Sequence, residues 1–96
     1  MSPKNKKKLD IIRKKLDQID NRLLAIIKKR TFLVNEVVKL KENKSEIVDQ
    51  KRISSILKNI KAKSIKNNID PKITNRIWKN MIWSYINYER RNFKKK

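Results

Sequence analysis

The 96-residue chain contains no cysteine, no histidine and no glycine, and only two prolines. Without cysteine there are no disulfides, no thiolate metal sites and no cysteine nucleophile. Without histidine the commonest general base and the commonest zinc ligand are missing, so neither a metal nor a cofactor is expected. A glycine-rich phosphate loop and a dinucleotide fingerprint are both excluded by the lack of glycine. Long hydrophobic runs are also absent. The longest, Leu23-Leu24-Ala25-Ile26-Ile27, falls far short of the ~20 residues a membrane span requires. The basic start, Met1 to Lys8, is not followed by the apolar core of a signal peptide. These absences predict one small, cytoplasmic, all-α domain.

Charge is what the chain has in excess. Its 28 basic and nine acidic residues give a net +19. Nine of the cations lie in the end segments, among Lys4 to Lys8 and from Arg90 to Lys96. The stretch from Asp10 to Glu89 holds 19 basic and nine acidic residues, a net +10. Abundant Ile and Asn alongside Lys point to A/T-rich codons as one source of the lysine. A positive field of this kind argues for solubility and attraction of anions rather than for a nucleic-acid site.

Apolar residues recur at alternating steps of three and four through Leu9, Ile12, Leu16, Ile19, Leu23, Ile26, Leu33, Val37 and Leu40. The spacing predicts one helix over about 6–42, roughly 55 Å long at 1.5 Å per residue. A compact chain of this size has a radius of gyration of only ~12–13 Å. So long a helix needs a partner subunit, most simply a second copy. Residues 43–48 lose the periodicity and form a connector. Asp49 is the expected N-cap of a second helix over 50–66, with Ile53, Ile56, Leu57 and Ile60 as its apolar face. Asn67-Asn68-Ile69 ends it. Asp70-Pro71 opens a third helix over 71–91, with Ile73, Ile77, Trp78, Met81, Ile82, Tyr85 and Ile86 inward. The expected domain is 9–90, between disordered basic tails at 1–8 and 91–96.

A few polar residues break these stripes. Arg30 falls where the first stripe requires an apolar side chain, and Lys41 follows eleven residues later. On a continuous helix the two are about 20° apart in azimuth and ~16 Å apart along the axis. A buried cation calls for a counter-anion. Glu89 intrudes in the same way on the stripe of Trp78, Ile82 and Tyr85. Arg52 flanks the second apolar face. Arg13 is too far from Arg30 to share a site within one chain, but antiparallel pairing of two first helices brings it to the other copy.

The series Leu9-Asp10-Ile11-Ile12-Arg13, Ile19-Asp20, Leu23 to Ile27, Arg30, Val37 and Lys41 resembles the first helix of the all-helical chorismate mutases. The likeness continues through Ile47 to Arg52, Ile56-Leu57, Asp70-Pro71, Ile77-Trp78 and Glu89, and covers residues 9–90. It implies an intertwined homodimer of three-helix chains that converts chorismate to prephenate in aromatic amino-acid biosynthesis. Arg13 would cross to the partner's site and grip one substrate carboxylate, and Arg30 would hold the other. Lys41 would donate to the ether oxygen. Glu89 would reach the same oxygen, donating only when protonated, since an ionised carboxylate has no hydrogen to give. Asp49 and Arg52 would line the site near the ring. Tyr85 stands where the family often has a carboxylate-binding Ser, and Ile53 where it usually has Glu. The same fold also supports isochorismate-pyruvate lyases. A basic helical nucleic-acid binder without catalysis is the remaining alternative.

Overall fold

A computed structural model describes residues 1–95, and within them every regular element is helical. Helix α1 spans Pro3–Leu40, a 3-10 turn spans Lys44–Glu46, α2 spans Gln50–Lys66 and α3 spans Pro71–Asn92. The chain forms two compact units, Met1–Leu33 and Val34–Lys96.

The first helix begins earlier than its apolar stripe. The Ser2 hydroxyl accepts from the Asn5 N–H at 3.2 Å, and Pro3 takes the first helical position. A serine cap followed by proline is a sufficient start signal, because it satisfies an orphan N–H and presets φ. Residues 3–8, expected as disordered tail, are therefore helical. At the other end α1 stops at Leu40, two residues short of the expected boundary. In the first unit the apolar stripe beyond Leu9 is exposed, with Ile12, Leu16, Ile19, Leu23 and Ile26 each about half accessible.

In the second unit α2 and α3 start where their caps predict. Asp49 accepts from the Arg52 N–H at 3.0 Å, and Asp70 accepts from the Lys72 N–H at 2.9 Å. Helix α2 closes in a Schellman motif. The Ile69 N–H reaches Ser64 O at 2.8 Å and the Asn68 N–H reaches Ile65 O at 3.2 Å. Asn68 adopts φ 58°, the left-handed conformation usually given to glycine, in a chain that has none. Beside this turn the hydroxyls of Ser64 and Thr74 meet at 2.7 Å, both buried. They tie the end of α2 to the start of α3.

The core of this unit is Ile47, Ile82 and Ile86, with Val48, Ile53, Ile56, Leu57 and Phe93 packed around it. Two expectations are corrected here. Ile73 and Ile77 are exposed rather than inward, whereas Ile47, in the connector, is almost fully buried. Periodicity identifies the apolar face of α3, but only part of that face is covered within one chain. The C-terminal segment is not a free tail as far as Lys95, since Phe93 joins the core and Lys95 bonds back to Lys39. Lys96 lies outside the described residues.

Candidate active site

Two of the stripe-breaking residues meet. Lys41, the first residue after α1, donates from Nζ to Glu89 Oε1 at 3.0 Å. The helix tightens as it ends, with the Lys41 N–H bonded to Val38 O at 3.2 Å, and the Lys41 side chain reaches α3 from there. Glu89 is only 7 % exposed, so it is not a solvated helix end. Lys41 is half-buried. A carboxylate this sheltered needs the cation, because an isolated buried charge costs several kcal/mol. From the residue just before Glu89, the Tyr88 hydroxyl donates to Asn35 Oδ1 at 3.0 Å, a second polar tie between α3 and the last turns of α1. Tyr85 packs edge-on against Tyr88, with ring centroids 6.4 Å apart.

Beside Lys41 an open groove is lined by Val37, Leu40, Val48, Asp49 and Gln50, with Glu46 and Lys51 also on its wall. Asp49 thus has two positions to fill, since its carboxylate caps α2 while it borders the groove. Glu46 sets the connector's shape. Its carboxylate accepts from the backbone N–H groups of Asn43, at 3.0 Å, and Glu42. Those bonds, the Asn43 one foremost, hold its pKa below the ordinary carboxylate range, and the charges of Lys41 and Lys95 act in the same direction. Asn43 followed three residues later by Glu46 is the sequence signal for this turn.

Arg52 is exposed near the start of α2, with its backbone N–H on Asp49. Arg13 and Arg30 belong to the first unit, Arg13 exposed and Arg30 half-buried on α1. The structure therefore brings Lys41 to Glu89 and Lys41 to the groove with Asp49. Among the described residues no group of carboxylates is arranged to hold a metal ion, and no helix is long and apolar enough to cross a membrane.

An unusually long first helix, two shorter helices and a sheltered lysine–glutamate pair define a small all-helical protein whose polar site is built at a helix end. The sequence model of the family chorismate mutase type II matches residues 12–90, and the chain belongs to that family. No curated protein and no solved structure matches it.

Proposed function

We propose that the chain is a chorismate mutase, an isomerase that acts as a homodimer and rearranges chorismate to prephenate. The reaction is intramolecular and pericyclic. One carbon–oxygen bond breaks as one carbon–carbon bond forms, and no group is transferred to or from the protein. It requires neither nucleophile nor metal, only a dianion held in its folded, reactive chair and a donor for the ether oxygen as negative charge grows there.

The observation that carries this reading is the Lys41–Glu89 pair beside an open groove, in a chain of this family. An ammonium has three hydrogens and Glu89 accepts one, so others are available for a substrate oxygen. Glu89 orients the cation in the free protein and, when protonated, donates to the same ether oxygen. Arg30 holds one carboxylate of the substrate and Arg13 of the second copy holds the other, since paired guanidinium donors match carboxylate geometry. Asp49 and Arg52 line the wall near the ring, and Tyr85 takes the position where the family often has a carboxylate-binding Ser. The half-exposed apolar stripe of α1 supports the dimer, because apolar side chains left in water along such a helix favour association. We assign the protein to the cytoplasm, where such a biosynthetic step belongs.

The test is spectrophotometric loss of chorismate with identification of the product. Lys41→Ala should lower kcat by about 100- to 1000-fold, the usual effect of removing a donor to developing negative charge. Intact chorismate after prolonged incubation with dimeric protein would refute the activity. Pyruvate in place of prephenate would transfer the protein to the lyases.

A further inference from the structure

The last turn of α1 leaves backbone carbonyls with no partner inside the helix, and Lys41 follows directly after it. One of those carbonyls, Lys39 O, accepts from Lys95 Nζ at 2.7 Å. The same ammonium lies 4.0 Å from Glu42 Oε1. Lys95 thus sets a cation at the negative end of α1, where it satisfies a carbonyl and complements the helix dipole. Its reach depends on Phe93, which ends α3 and packs against the core of Ile47, Ile82 and Ile86. Phe93 fixes the direction of the chain after α3, and Lys95 closes it onto α1.

Glu89 holds Lys41 from α3, and six residues later Lys95 holds the backbone two residues before Lys41. These two ties bracket the end of α1, one from α3 and one from the segment that follows it. We infer that Lys95, seated by Phe93, is a positioning residue that fixes the end of α1 so that Lys41 Nζ meets the substrate in one place. This rests on the mutase reading given above. Lys95 touches no reacting atom; it acts through the backbone that carries Lys41. Positioning of this kind changes turnover more than binding, because a donor displaced by about an ångström costs on the order of 100-fold in rate. Lys95 is itself partly solvated, so its loss loosens the segment rather than releasing it.

The experiment compares Lys95→Ala, Lys95→Met, Lys95→Arg and Lys94→Ala in the full chain. Two readouts are used, chorismate kinetics and amide hydrogen exchange of residues 39–43. Lys95→Ala and Lys95→Met should lower kcat about fivefold with KM changed less than about twofold. Lys95→Arg, which keeps a cationic donor, should recover most of the rate. Lys94→Ala removes equal charge from an exposed neighbour and should leave the rate unchanged. Lys95→Met keeps the aliphatic stem, so it separates loss of the donor from loss of packing. Exchange at 39–43 should quicken in the Ala and Met variants, while amides around Ile82 and Ile86 keep their protection. Unchanged kcat and unchanged exchange in both variants would overturn the inference, as would an equal loss in Lys94→Ala. If the wild-type protein leaves chorismate untouched, the mutase reading falls. The exchange result still decides whether Lys95 orders the end of α1.

Discussion

Removing one member of the Lys41–Glu89 pair should harm the fold more than removing both. At 3.0 Å, two unit charges attract by about 5 kcal/mol with an effective dielectric of about 20. Desolvation of two sheltered ions offsets much of this, so the intact pair contributes on the order of 1–2 kcal/mol net. Lys41→Met leaves Glu89 buried without its cation, and breaking a buried pair typically costs about 3–5 kcal/mol. The Lys41 side chain is 18 % exposed, which lets water approach and puts the expected loss near ~3 kcal/mol. Glu89→Leu costs less, about 1–2 kcal/mol, because the long stem of Lys41 can carry its charge outward. The double variant should lie within about 1 kcal/mol of wild type, since apolar replacement of a buried pair is often close to neutral. These values give a coupling of roughly 4–5 kcal/mol between the two sites. Urea unfolding at one fixed protomer concentration measures all four proteins, with concentration held constant because a dimer's stability depends on it. Additive single effects, with coupling below about 0.5 kcal/mol, would show that the pair does not form in solution. The double variant should stay inactive towards chorismate despite its restored stability, which separates chemistry from folding.

Sedimentation at micromolar concentration should give twice the chain mass, and Leu16→Lys combined with Leu23→Lys, which places charge on the exposed stripe, should give monomers without activity. Arg13→Ala and Arg30→Ala should each be nearly inactive alone, whereas mixing them after subunit exchange should restore one intact site per heterodimer; no recovery would exclude a shared pocket. Glu46 has a lowered pKa in the folded chain, so its stabilisation of the connector is present above the ordinary carboxylate range and is lost as pH falls through the folded value. NMR amide shifts of Glu42 and Asn43 should follow that acid titration, and Glu46→Gln should abolish it.

Local chemistry made most of the fold legible. Asp49, and Asp70 before Pro71, mark the starts of α2 and α3 because a side-chain carboxylate can cap the first turn. Ser2-Pro3 carries the same kind of signal at the start of α1, but the apolar stripe begins only at Leu9, so periodicity alone starts the helix late. The stripe-breaking charges at Lys41 and Glu89 were visible singly. No period connects them across 48 residues, and only the family resemblance, which sends both to one ether oxygen, brings them together. Ile47 shows the opposite limit. A connector has no repeat from which to infer a face, yet its one strongly apolar pair, Ile47-Val48, supplies the most deeply buried of the core side chains along with Ile86. Ile73 and Ile77 have the right spacing for burial and remain exposed in the single chain, because spacing says which face is apolar and not what covers it.

Ile53 stands where the family resemblance leads one to expect a glutamate, and its surroundings in this chain are apolar. Its side chain is half-buried and packs around Ile47, Ile82 and Ile86, while the groove beside Lys41 is bordered from the start of α2 by Asp49, Gln50 and Lys51. A glutamate at 53 would set an ionised group against that isoleucine cluster with little to pair it. Losing the apolar contact and partly desolvating the charge should cost about 1–3 kcal/mol, the lower end if the longer side chain bends outward to water. Ile53→Glu is therefore expected to lower stability and leave kcat/KM for chorismate no higher than wild type. Ile53→Gln, uncharged and similar in length, should be milder in stability and equally without gain. The measurements are urea unfolding and chorismate kinetics on the same preparations. A gain in kcat/KM of tenfold or more in Ile53→Glu, without loss of stability, would show that position 53 faces the substrate, and the core assignment of Ile53 would have to be abandoned.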